Sequence, residues 1–195
     1  VSKAIDILMA EHRIIERVLG SLESFGVAVE GGLAVERSLV SDYAGFFRGF
    51  ADRYHHGKEE DILFQRMIER GLPTESGPLA VMLHEHEQGR ARVAVLGRVG
   101  QGEGAVAAAE RQALLTSAHE FIALLRQHIL KEDRILYPMA ARLLTGPEFD
   151  AMETAFEAFE RRLAGDGTAD RLRALAERLE STFAPGPERM RAATA

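Results

Sequence analysis

A chain of 195 residues can bury a real core as one domain without staples, and 46% apolar with 28% charged residues is ordinary globular composition. The absence of cysteine excludes disulfides, iron–sulfur clusters, thiolate zinc sites and cysteine nucleophiles, and a net charge of −6 argues against broad nucleic-acid binding and against docking on an anionic membrane. No run of about 20 apolar residues could span a bilayer, and Val-Ser-Lys-Ala-Ile-Asp lacks a signal-peptide core, so the cytoplasm is the expected compartment.

Nearly the whole chain reads as helix. Ile5, Leu8, His12, Ile15, Leu19 and Leu22 repeat at alternating spacings of three and four, the seam of an amphipathic helix packed in a bundle. Ser2 is its expected start and Gly31-Gly32 its stop. A second helix is expected from about residue 34 to Arg70, before Gly71-Leu72-Pro73. A third should run from Leu79 to about Val99, and a fourth from about Ala105 to Leu144, with Pro138 kinking or ending it near Tyr137. Short joints rich in glycine and proline predict an all-α, up-down-up-down four-helix bundle over residues 1–145. Two shorter helices should follow over 146–184 and pack on the bundle or on a partner subunit. Phe149, Met152, Phe156, Phe159 and Leu163 form one stripe, Leu172, Leu175, Leu179 and Phe183 the other, and Gly165-Asp166-Gly167 turns the chain between them. Residues 185–195 read as a frayed tail.

Within this pattern one phrase occurs twice. Glu11-His12 is followed by His55-x-x-x-Glu59, and Glu85-His86 by His128-x-x-x-Glu132, with 43 positions from single histidine to pair in the first copy and 42 in the second. A histidine on a helix is usually solvated or satisfied inside a core. Six such side chains repeated this way call for a common cause, and metal ligation provides one. His12 fills a seam position otherwise held by isoleucine and leucine, where an imidazole must find partners for both nitrogens. His55 and Glu59 share a helical face with Phe47, Ala51 and Ile62. The neighbouring pair His56 and Glu60 competes, but its face runs back through Asp52, Gly49 and Gly45, and an ungapped match of His55-His-Gly-Lys-Glu-Glu-Asp-Ile-Leu-Phe to His128-Ile-Leu-Lys-Glu-Asp-Arg-Ile-Leu-Tyr sets His55 over His128. The choice is therefore His55 and Glu59.

His128 lies on a stripe with Leu114, Phe121 and Leu124 before it and Glu132, Ile135 and Met139 after it. Asp133 is the second-ranked carboxylate, rotated about 100° from Glu132 on a regular helix. His86 shares a side with Leu79, Met82, Leu83 and Val93, whereas His84 faces the side of Glu87, Gln88 and Ala91 and is the alternative; His119 reads as surface. Four imidazoles and two carboxylates without sulfur form a borderline-hard donor set suited to iron, manganese or zinc. Imidazole outnumbering carboxylate favours reversible reaction with a small diatomic over storage of oxidised iron.

The arrangement resembles the hemerythrin-like family over roughly Ile5 to Ala141, on Glu-His-Arg-Ile-Ile-Glu, His-His-Gly-Lys-Glu-Glu-Asp and His-Ile-Leu-Lys-Glu-Asp-Arg-Ile-Leu-Tyr-Pro. That resemblance implies two non-haem iron ions with an oxo or hydroxo bridge. His12, His55, His86 and His128 would be terminal ligands, and Glu59 and Glu132 bridges. Oxygen-carrying members have a further histidine one turn after the third-helix ligand, where this chain has Arg90. One iron would then lack a protein ligand, or another side chain, with Tyr54 a candidate, would supply it. The expected function is binding or reaction with oxygen, peroxide or nitric oxide. The alternatives are a non-enzymatic oxygen or iron sensor or iron-handling regulator, and a purely structural bundle.

Overall fold

Ser2 begins the first helix by accepting a hydrogen bond from the Ile5 N–H at 3.4 Å, and α1 then runs Lys3–Glu30. It stops where Gly32 takes φ +103°, a conformation that a side chain resists. The computed structural model describes residues 2–163 and 168–186, so both the expected Gly165-Asp166-Gly167 turn and the tail from 187 onward lie outside the described residues. Six helices account for most of the described chain, with no strand among them. After α1, α2 spans residues 37–69 and α3 is Gly77–Gln101; α4 spans 108–143, α5 is Gly146–Leu163 and α6 is Thr168–Thr182. The turn after α2 rests on Gly71 at φ +95°. No helix among the described residues is long and apolar enough to cross a membrane.

The four long helices form a closed ring of neighbours: α1 packs on α2 and α4, and α3 packs on α2 and α4. Their apolar side chains gather into two separate cores. One joins Ile5 and Leu8 of α1 to Leu63, Phe64 and Met67 of α2, Leu79 and Met82 of α3, and Leu136 and Tyr137 of α4. The other takes Leu19 and Phe25 of α1, Phe47 and Phe50 of α2, Leu96 of α3 and Phe121 and Leu125 of α4. Between the two cores every long helix carries histidine or glutamate, so a polar layer crosses the middle of the molecule.

Helices α2 and α4 are not regular where they cross that layer. Residues 47–56, 59–63 and 132–136 form widened, π-type turns. Their signature is hydrogen bonding five residues back: Gly57 N–H to Asp52, Phe64 to Glu59 and Tyr137 to Glu132. The expected stripe through Ile135 fails for this reason. The extra residue per turn shifts the phase, so Ile135 is 54% exposed while Leu136 and Tyr137 face inward. Pro138 does not end the helix, which continues to Leu143 with the widened turn just ahead of the proline.

The C-terminal pair packs on α1 and α2. Phe149, Met152 and Phe156 of α5 complete one core, and Ala176 and Leu179 of α6 the other. The Ser21 hydroxyl donates to the Leu179 carbonyl at 2.8 Å. Because Phe156 is 1% exposed, Phe156→Ala should cost about 3–5 kcal/mol in urea unfolding. A cost near zero would mean that α5 does not unfold cooperatively with the long helices.

Candidate metal centre

The polar layer contains His12, His55, His56, Glu59, His86, His128 and Glu132, each no more than 5% exposed. Potential ligand atoms gather in two groups, each within 4.8 Å: His12, His55, Glu59 and Glu132, and His56, Glu59, His86 and His128. Glu59 belongs to both, with Oε2 3.6 Å from Nε2 of His55 and 3.6 Å from Nε2 of His86. Glu132 also reaches both, with Oε2 3.2 Å from His12 Nε2 and Oε1 3.1 Å from His128 Nε2. Each carboxylate thus lies between two sets of imidazoles.

All six residues selected from sequence come together here, and His56 joins them. On a regular α-helix the His56 face runs back through Asp52, Gly49 and Gly45, away from the core. The π-type turn over Phe47–His56 changes that phase, and the His56 ring stacks on His86 with centroids 3.7 Å apart. His56, set aside above in favour of His55, thus lies in one group with His86 and His128. Tyr54 lies apart from both groups: its ring stacks on Phe50 and lies beneath the Lys58 ammonium. His84 is exposed and bonds Gln88, and His119 is half-exposed beside Glu30.

A second layer holds the first. Imidazole Nδ1 meets a carboxylate at His12 (Asp133, 2.7 Å), His55 (Glu11, 3.0 Å), His86 (Glu60, 2.7 Å) and His128 (Glu85, 3.0 Å). Donation from Nδ1–H leaves a lone pair on each inward Nε2, the arrangement in which histidine binds metal. Every one of these carboxylates is itself paired with a cation. Asp133 pairs with Arg13, Glu11 with Lys58, Glu60 with Arg90, and Glu85 with Lys131. Arg90, read from sequence only as a missing ligand, holds both Glu60 and Asp52. The signal for this layer was in the doubled phrase, where glutamate precedes His12 and His86 and lysine precedes Glu59 and Glu132.

Four of the inward atoms lack partners of their own. His55 Nε2, Glu59 Oε2 and both oxygens of Glu132 are buried without a hydrogen bond, the 3.1–3.2 Å approaches to Glu132 being poorly aligned for one. Orphaned buried acceptors are costly, and convergent nitrogen and oxygen lone pairs are what a cation satisfies. The residues present fit a metal.

Without a metal, protons carry the positive charge. Burial works against a charged His128, but Glu132 and Glu85 outweigh it and raise its pKa to about 9. Burial drives His55 and His86 well below the usual value, aided by neighbouring imidazoles. Burial and then Glu132 push Glu59 far up, while burial of Glu132 is overcome by His128 and His12, which hold it down. Stability from charged His128 is fully present below its ordinary 6.5 and is lost as pH rises through about 9. The metal-free protein should therefore lose stability between those limits in urea titrations, and metal uptake near pH 7.5 should release protons measurable with an indicator dye. A flat stability profile over that range would contradict the charge assignment.

Comparison with known proteins identifies the family. The family model described as the hemerythrin HHE cation binding domain matches residues 3–140. An uncharacterized protein of Mycobacterium tuberculosis is 26% identical over 162 residues, covering 82% of this chain and 62% of that protein. The iron-sulfur cluster repair protein YtfE of Yersinia pseudotuberculosis is 36% identical over 141 residues, covering 70% of this chain and 56% of that protein; its namesake in Yersinia pestis matches equally. The chain thus spans less than two thirds of the length of these curated relatives. No solved structure matches it. A match over residues 3–140, a span that contains the buried histidine–glutamate layer, makes the protein a member of the hemerythrin HHE cation-binding family.

Proposed function

We propose that the chain is a non-haem di-iron protein on an up-down-up-down four-helix bundle, and that its centre binds or reacts with a small oxidant such as oxygen, peroxide or nitric oxide. Glu59 and Glu132 would bridge the two ions. His12 and His55 would complete one position, and His56, His86 and His128 the other. The observation that carries this reading is the set of orphaned, inward-facing acceptors shared between two groups of carboxylate-backed imidazoles. Two irons held there would supply one- and two-electron chemistry.

The protein's own groups do the rest. The apolar cores on either side keep the layer dry, which strengthens its electrostatics. The Tyr137 hydroxyl donates to Glu59 Oε1 at 2.7 Å and lies 3.3 Å from His12 Nε2, so it fixes the carboxylate and excludes water on that side. Burial and the adjacent Glu59 hold that phenol protonated, well above its usual range. On the opposite side a cavity of about 270 Å³, with Phe47, Ala51, Asp52, His56, Arg90 and Phe121 among its lining residues, would admit a small ligand.

A second reading, a non-enzymatic iron-handling or sensing protein, is favoured by one observation: the Yersinia relatives are named for iron–sulfur cluster repair. Stopped-flow mixing of the reduced protein with oxygen, nitric oxide and peroxide separates the two, since a sensor or iron carrier should show no turnover.

Iron analysis of protein from its own host should give two irons per chain with the near-ultraviolet bands of a bridged ferric pair; fewer than one iron without those bands would sink the proposal. His128→Ala and His56→Ala should each weaken iron binding at least about 10-fold, the scale reached by losing even an outer-layer partner, whereas His119→Ala should change nothing. Val93→Trp, which fills the cavity, should slow nitric oxide binding at unchanged iron content. Equal rates in wild type and variant would mean that ligands enter elsewhere.

A further inference from the structure

The two halves of the doubled phrase differ in one support. Lys131 is a third exposed and pairs with Glu85. Its counterpart Lys58 is fully buried, with Nζ 2.5 Å from Glu11 Oε1 and 2.5 Å from Oε1 of Glu160 on α5. Lys58 also lies 3.8 Å over the Tyr54 ring. The contact between α5 and α2 is close enough to need glycine at 57, where a Cβ would come within 2.5 Å of the Phe159 ring. Residue 160 lies outside the stretch of the chain matched by the family model.

Glu11 divides its oxygens, one toward Lys58 and the other accepting from His55 Nδ1. A buried ammonium needs more than one acceptor. With Glu160 removed, the Lys58 charge would fall on Glu11 alone and draw it away from the imidazole. We propose that Glu160 is a positioning residue of the metal centre: acting through Lys58 and Glu11, it fixes the orientation and tautomer of His55, and so makes the ion position of His12 and His55 depend on the C-terminal helices. This rests on the metal-centre reading above.

The test uses the full chain with Glu160→Gln and, as control, Glu153→Gln. Glu153 joins α5 to Lys3 of α1 but does not touch the relay. In iron-loaded protein challenged with a ferrous chelator, Glu160→Gln should release one of two ions about tenfold faster, the second at the native rate, and Glu153→Gln neither. In metal-free, nitrogen-15-labelled protein, the His55 imidazole resonances should move with Glu160→Gln and stay with Glu153→Gln. Native release of both ions with an unmoved His55 signal overturns the proposal, as does an equal response to the two variants, which would mean that α5 matters only for docking. A native chain that takes up no iron would defeat the metal-centre reading, and the His55 resonances would still decide the relay.

Discussion

A layer of ionisable side chains buried between two apolar cores is the constraint that organises this molecule. An ionised carboxylate in such a place costs several kcal/mol unless charge and hydrogen bonds answer it. Here the answer is built outward in shells. Inward imidazoles face Glu59 and Glu132, carboxylates hold those imidazoles from behind, and lysine or arginine holds the carboxylates. Arg13, Arg90 and Lys131 each keep about a third of the side chain exposed, where a charge costs less, whereas Lys58 is buried and needs a second carboxylate. What the scheme leaves unanswered is the centre itself, and that residual demand is the strongest physical case for a cation.

Crowding so many donors into one cross-section also explains the irregular helices. A regular α-helix presents residues at i and i+4 on one face and turns i+1 away. The second helix must bring His55, His56 and Glu59 to one layer and still return Leu63 and Phe64 to the lower core. Widened turns do both, at the cost of weaker hydrogen-bond geometry. The fourth helix uses one such turn after Glu132, which also accommodates Pro138. The deviation from α geometry follows from the site rather than from any defect in helix propensity.

That is also where the sequence was legible and where it was not. The first helix is regular, and its three-and-four spacing placed His12 among buried leucines and isoleucines, as observed. The same arithmetic separated buried His86 from exposed His84 on regular α3. It failed at Ile135 and at His56, both of which belong to widened turns, because a period of 3.6 residues was applied where the chain does not follow it. The supporting role of the outer carboxylates and their cations escaped notice for a different reason: Asp133 and Glu60 were weighed only as ligands and Arg90 only as a missing one. Glu11 and Glu85 were read as markers of the repeat, and nothing in one-dimensional spacing tells that each reaches across to the histidine of another helix.

The repeat is most informative where it breaks. Positions that correspond in the two copies carry Phe64 and Tyr137, His56 and Ile129, and a doubly paired Lys58 against a singly paired Lys131. Each difference pushes the same way. On the His12 side the Tyr137 hydroxyl holds Glu59, and α5 is tied in through Lys58. His56 adds a third imidazole to the other side and lines the cavity between α2 and α3. A repeated scaffold has thus become asymmetric, with one half tied to the C-terminal helices and the other lining that cavity. Glu59 and Glu132 reach imidazoles of both groups, so a change in either carboxylate is felt on both sides of the layer at once.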